Sequence, residues 1–330
     1  MKPLLYLMNI LGLAPFILVE ERGLRKFRAS TYIAVYSVAM LVIVLLGELL
    51  VIIGKGGLEN MDNVYKFATL MKSSAYTISH SGFLFFTLLF RREIMNFLHM
   101  LLTFNSSSHK IFVCYGRNFN YVMAQVFVLV TIYAVCSVLM ALSFKSIGFV
   151  TACRFFSMTV SVLSVNVVTL LFINLAAVLK GCFTRINTSL CELVQCAGLE
   201  SVGLYRQIST VIHPQPLIEV KNKSDSLKIR IEHITRGCDF VCDFVDLLNS
   251  VYSAHTLILV TFYVVIFIYD SYFGFVGVMD VHRGIFGRVL WVRMTFIETA
   301  INAVGFTALI YFCSSTTCEV RRCPYFVVLP

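Results

Sequence analysis

Six long, predominantly apolar stretches interrupt this chain, each of roughly 20 residues or more. At 1.5 Å of rise per residue, that length crosses the ~30 Å hydrocarbon core of a bilayer as an α-helix. The stretches run from about Ser30 to Gly54, Val64 to Phe90, Phe119 to Phe144, Thr151 to Leu179, Val245 to Tyr272 and Val289 to Phe312. Lipid offers no partners for backbone amides and carbonyls, so apolar spans of this kind fold as helices. Composition agrees: 58% of the 330 residues are hydrophobic and only 14% charged, with a mean hydropathy of +0.82. Soluble domains carry about 45–50% apolar and about 25% charged residues. The 27 basic and 18 acidic side chains are too few to coat a soluble particle of 37.3 kDa. A disordered chain, a collagen-like chain and an ordinary soluble enzyme are excluded. The expected fold is all-α, a polytopic membrane bundle of six transmembrane helices.

The basic residues orient it. With the N-terminus cytoplasmic, nineteen Lys and Arg fall on inside segments and seven on the other side, with Lys72 within a span. Such asymmetry is the positive-inside signature, and it accounts for the net charge of +9 without a nucleic-acid partner. The expected organisation is a cytoplasmic segment over 1–29, helices one to four over 30–180, and a cytoplasmic loop with helical extensions over 181–244. Helices five and six follow over 245–313, then a cytoplasmic tail over 314–330. The opening LLYLMNILGLA follows Lys2 but has no good small-x-small site, so it reads as an uncleaved cytoplasmic or interfacial segment. His213 to Pro216, HPQP, breaks any helix in the long loop. The sequons at Asn105, Asn187 and Asn222 all fall on the inside, where no glycan is added.

The eleven cysteines form no CxxC pair, so no zinc knuckle is expected, and no metal or other cofactor. No GxSxG, HExxH, P-loop or GxGxxG occurs, and no two histidines share a helix face at i, i+4, so an enzyme is not expected. The informative polar residues are those within the spans, where ionisable groups are costly and turn inward. The second span carries Thr69, Lys72, Ser73, Tyr76 and His80 at helical spacing, and the sixth Trp291, Thr295, Glu298, Thr299 and Asn302. The fourth has Ser157, Ser161 and Ser164. Either these stripes line a small-molecule pocket or they hydrogen-bond helix to helix. Lys72 is expected to pair with Glu48, while Glu298 has no evident basic partner. From helix-face geometry the candidate ligand-binding residues are Lys72, Tyr76, Tyr133, Ser164, Tyr263, Phe267, Trp291, Thr295 and Glu298.

Four strings, in order, carry a family resemblance. They are LMNILGLAPFIL at the N-terminus, LLFINLAAVLKGCFTRINTSL after the fourth span, DLLNSVYSAHTLILVTFYVVIFIYDSYF in the fifth, and IYFCSSTTCEVRR from Ile310 to Arg322. The last is similar to the Cys-x-x-Thr-x-x-Glu-Ala-x-Arg stretch of insect gustatory receptors, with Val320 where Ala is usual. Over nearly its whole length the chain resembles that family. The resemblance implies a tetrameric, ligand-gated nonselective cation channel in the plasma membrane of a chemosensory neuron. Its ligand would be a small-molecule tastant bound within the first six helices, its surroundings lipid, and its partners further receptor subunits in a homo- or hetero-tetramer. The family's seventh span, Thr-Tyr, about five apolar residues, then Gln-Phe, lines the pore. The sequence ends eight residues after Arg322, at CPYFVVLP, without it, so the expectation is a chain that stops before the pore helix. A non-conducting subunit, an inert isoform and an unrelated six-span transporter are the alternatives. The last is disfavoured because the spans hold no proline.

Overall fold

The polar stripes of the spans decide which helix faces turn inward, and the computed structural model shows the resulting bundle. It describes residues 2–21, 24–53, 63–107, 115–143, 149–208, 217–281 and 286–322. Among these, the helices are α1 (Lys2–Ile10), α2 (Thr31–Ile53), α3 (Asn63–Leu89), α4 (Arg91–Ser107), α5 (Tyr115–Ser143), α6 (Phe149–Ile208), α7 (Leu217–Val281) and α8 (Phe286–Arg322). Between α1 and α2 lies an antiparallel hairpin, β1 (Phe16–Glu21) and β2 (Leu24–Ala29), in register from Phe16↔Ala29 to Glu21↔Leu24. The HPQP stretch and residues 323–330 lie outside the described residues.

Each of the six expected spans corresponds to one helix: α2, α3, α5, α6, α7 and α8. By length and composition, four described stretches qualify as membrane-crossing: Thr31–Leu50, Phe156–Leu193, Ile234–Val276 and Phe296–Arg321. Helices α3 and α5, with 27 and 29 residues, are each about 40 Å long, enough to cross. The chain is thus a multi-pass helical bundle. At 60 and 65 residues, α6 and α7 reach about 90 Å or more, far longer than a bilayer requires. The chain's greasiest surfaces face outward. Val42, Ile43 and Leu46 of α2, Leu257 and Ile268 of α7, and Val304 and Ile310 of α8 are all exposed, as suits a surface solvated by lipid tails.

Helix α6 is the axis of the bundle. It touches α1, α2, α3, α5, α7 and α8, and 72% of its membrane-crossing stretch is buried, against 11% for α8. Polar side chains and one backbone carbonyl tie it to the helices around it. Asn166 Nδ2 donates to the Tyr133 hydroxyl of α5 at 2.8 Å, and Asn174 Nδ2 to Gln125 Oε1 at 3.0 Å. Thr169 Oγ1 bonds the Tyr263 hydroxyl of α7 at 2.8 Å, and Ala176 O accepts from Thr316 of α8 at 3.0 Å. Asn187 Nδ2 donates to Glu319 O at 3.0 Å. Gly305 lets α8 approach closely, since a Cβ there would stand 3.0 Å from the Tyr263 hydroxyl.

The N-terminal segment is part of the bundle. Leu4, Leu13 and Ala14 are fully buried, and α1 packs on α5 and α6. Helix α1 ends in a Schellman motif: Leu13 N donates to Met8 O at 2.7 Å and Gly12 N to Asn9 O at 3.1 Å, with Gly12 at φ +75°. Helix α2 completes the cap, because Ser37 Oγ donates to Gly12 O at 2.5 Å and the Tyr36 hydroxyl to Ile10 O at 2.6 Å. Glycine adopts that φ at least cost, and a Cβ would lie 3.2 Å from Ser37 Cα. Gly12→Ala is therefore expected to destabilise the protein by about 1–2 kcal/mol, read as a lower melting temperature in detergent. An unchanged melting temperature would show that the N-terminal cap is dispensable.

Candidate functional site

Three helices bring ionisable groups to one level. Lys72 lies nine residues into α3 from Asn63, Glu298 twelve into α8 from Phe286, and Asp270 eleven before α7 ends at Val281. All three sit toward the same end of the bundle. Lys72 Nζ reaches Glu298 Oε2 at 2.7 Å and Asp270 Oδ1 at 3.1 Å. The side chains of Lys72 and Asp270 are 7% and 1% exposed, and that of Glu298 19%. The Tyr76 hydroxyl donates to Glu298 Oε1 at 2.7 Å and accepts from Asn302 Nδ2 at 3.2 Å. The Tyr76 ring packs on Phe262 at 4.7 Å between centroids, and the Tyr269 ring lies 5.3 Å from the Lys72 ammonium. The result is a buried chain of charge-assisted hydrogen bonds running through α3, α7 and α8.

The expected Lys72–Glu48 pair does not form. Lys72 and Ser73 are successive residues on a helix and point about 100° apart. Ser73 faces α2 and donates to Glu48 Oε2 at 2.6 Å, with Ser74 donating to Oε1 at 3.3 Å. Lys72 is thereby turned toward α7 and α8. Glu298, expected to have no basic partner, has Lys72. Asp270 stands only two residues inside the expected end of the fifth span at Tyr272 and is not among the candidates read from the sequence. Since α7 continues to Val281, Asp270 is interior, and an Asp beside a Tyr at the close of an apolar run was the signal available.

The remaining candidates divide. Tyr263 lies next to Phe262, with its hydroxyl on Thr169 and its ring 5.2 Å from Phe306. Tyr133 is half-buried and bonded to Asn166. Ser164 is buried but donates to Val160 O of its own helix at 2.7 Å. Phe267 is 62% exposed on the outer face of α7, so it faces away from the interior cluster. Its i, i+4 relation to Tyr263 is outweighed by the greasy outer face it shares with Val264 and Ile268. Trp291 and Thr295 lie on α8, but their side chains fall outside those described. The structure therefore joins Lys72, Tyr76 and Glu298 directly, sets Tyr263 in the adjoining aromatic layer, and adds Asp270 and Asn302. A separate cavity of about 20 Å³ lies toward the opposite end, lined by Leu5, Met8, Thr87, Phe97 and His255 among others. It has room for about one water molecule, too little for a tastant. Among the described residues no cluster of His, Cys, Asp and Glu is arranged to hold a metal ion.

Comparison with known proteins decides the family. The sequence profile described as 7tm Chemosensory receptor matches residues 1–322. The chain belongs to the 7tm chemosensory receptor family. No curated protein matches it. The match covers every described element from α1 to α8, so N-terminal segment, bundle and long helices all belong to one receptor architecture. The resemblance to insect gustatory receptors read from the four strings agrees with it. A chemoreceptor role follows, in a family of receptors rather than enzymes. Among the described residues, the buried Lys72–Asp270–Glu298 cluster is a chemically distinctive feature of the bundle.

Proposed function

We propose that the chain is a gustatory receptor subunit that binds a small-molecule tastant at the Lys72–Tyr76–Glu298 cluster and takes part in ligand-gated, nonselective cation conduction. The observation that carries this reading is the cluster itself, an interior network of one ammonium, two carboxylates and a phenol within a chemosensory receptor bundle. Buried polar networks of this kind hold a ligand by trading one internal hydrogen bond for another. The proposed site further includes Tyr133, bonded to Asn166 of α6, and Tyr263, bonded to Thr169 of α6, together with Ser164, Trp291 and Thr295. The receptor would work in the plasma membrane of a chemosensory neuron as a homo- or hetero-tetramer, with its N-terminus cytoplasmic.

The test is ligand-evoked current in cells expressing the chain alone and together with other receptor subunits. Tyr76→Phe and Glu298→Gln are expected to raise the half-maximal ligand concentration about tenfold or more, equivalent to about 1.4 kcal/mol. Responses indifferent to both substitutions would place the site elsewhere. Orientation has its own check. With the N-terminus inside, none of Asn105, Asn187 and Asn222 carries a glycan, and endoglycosidase treatment leaves mobility on a gel unchanged. A mobility shift abolished by Asn222→Gln would invert the topology.

A further inference from the structure

A second polar site lies deeper in the bundle, where α2, α3 and α6 meet. All three helices contact one another, and two hydrogen bonds fix their register: Ser73 to Glu48 between α3 and α2 at 2.6 Å, and Ser157 to Val44 O between α6 and α2 at 3.0 Å. With α2, α3, α5 and α6 crossing the bundle in alternation, both α3 and α6 run antiparallel to α2. One turn along α3 from Ser73 stands Thr77, and about two turns along stand His80 and Ser81. One turn along α6 from Ser157 stands Ser161, level with Met40 and Leu41 of α2 and hence with His80. Residues four apart share a helix face, so Thr77 and Ser161 point into the junction that Ser73 and Ser157 already face.

None of these side chains is satisfied. Thr77 Oγ1, Ser81 Oγ, Ser161 Oγ and both nitrogens of His80 are buried without a hydrogen-bond partner. His80 and Ser161 are wholly buried and Thr77 is 4% exposed. Neighbouring residues on α6 behave otherwise. Ser164 and Thr169 satisfy themselves on the carbonyls of Val160 and Val165 at 2.7 and 2.9 Å, whereas Ser161 does not use that option. Buried polar groups in native proteins are nearly always paired, with protein or with ordered water. Five orphaned atoms within about two helical turns therefore imply a shared guest. A neutral imidazole offers one donor and one acceptor, so the guest must both accept and donate.

We infer that α2, α3 and α6 enclose a binding site for a small hydroxylic guest, ordered water or the hydroxyl of a bound alcohol, held by Thr77, His80, Ser81 and Ser161. This site is separate from the Lys72–Glu298 cluster and does not depend on the tastant reading. Thr77→Val and Ser161→Ala test it in the detergent-solubilised receptor. If a guest is bound, each substitution lowers the melting temperature, and the double variant loses less than the sum because both residues hold the same guest. If the orphans are dry, the apolar replacements raise the melting temperature, which overturns the inference. Radiolytic footprinting of the unaltered receptor is the second measurement. Radicals formed from water bound in the site oxidise His80 despite its complete burial, and His80 left unlabelled while exposed Tyr32 reacts, with no widening of the melting-temperature gap in ethylene glycol, would equally overturn the proposal. Titration with ethylene glycol separates the two occupants. A gap between wild-type and Ser161→Ala melting temperatures that widens with the diol marks an alcohol hydroxyl in the site, and a constant gap marks water.

Discussion

Lys72→Met is expected to be among the most damaging substitutions in the chain, costing about 3–5 kcal/mol of stability. The methionine keeps the length and packing of the aliphatic stem and removes only the charge. That charge lies between Asp270 Oδ1 at 3.1 Å and Glu298 Oε2 at 2.7 Å, with Asp270 almost wholly enclosed. Without it two carboxylates face each other with no cation between them, one of them almost wholly buried. The helices that would separate are α3, α7 and α8. The loss should appear as a fall in melting temperature and in the monodisperse fraction after solubilisation. Lys72→Met combined with Asp270→Asn should recover part of the loss, because one of the two stranded charges is gone. A Lys72→Met protein as stable as the parent would mean that the Lys72 ion pairs do not hold α3, α7 and α8 together.

Phe97→Ala is expected to cost a comparable amount, about 3–5 kcal/mol, by a different mechanism. Phe97 on α4 is fully buried. Its ring stacks on Phe244 at 4.7 Å and meets Tyr252 edge-on at 5.6 Å, both on α7. Tyr252 in turn meets Phe172 of α6 at 5.4 Å and His255 at 5.3 Å, and His255 bonds Thr87 of α3 at 3.2 Å. One ring thus fastens α4 to the core where α3, α6 and α7 converge. Truncation leaves a cavity that fixed helices cannot close. Phe97→Leu should retain most of the stability, while Phe97→Ala should unfold well below the parent. Equal melting temperatures for the Ala and Leu variants would show that α4 is only loosely attached.

Much of the architecture was legible because its cause is periodic. Apolar runs of membrane length left few alternatives to helices, and the stripe of Lys72, Ser73, Tyr76 and His80 marked the inward side of α3. The hairpin was harder to see. FILVEE and LRKFRA flank Arg22 and Gly23, a turn signal between two short runs, but neither run alternates apolar with polar residues, and beside an apolar helix they read as one continuous segment. Phe27 shows what holds the hairpin down: its ring lies 5.8 Å from Phe16, and its carbonyl meets His99 Nε2 of α4 at 2.9 Å. Such contacts between distant segments leave no trace in hydropathy. The same limit explains the site. Helix-face geometry selects Lys72, Tyr76 and Glu298 as interior, but partner choice depends on where neighbouring helices end and how they are rotated. The extension of α7 to Val281 sets Asp270 well within the helix rather than at its end, and the turn of Ser73 toward α2 took Glu48 away from Lys72. Phe267 failed for the opposite reason, since an aromatic residue on an apolar helix suits lipid as well as it suits a pocket.

The central claim is that the interior cluster around Glu298 is where a small molecule is recognised, and the most direct measurement is ligand-induced stabilisation of purified receptor compared between the parent and Tyr76→Phe. The substitution keeps the ring on Phe262 and removes only the hydroxyl that joins Glu298 to Asn302. Screened against a panel of tastants, at least one compound should raise the parent's melting temperature in a concentration-dependent way and leave that of Tyr76→Phe unmoved or shifted only at about tenfold higher concentration. Compounds that stabilise both proteins equally would contradict the account and place recognition outside the cluster.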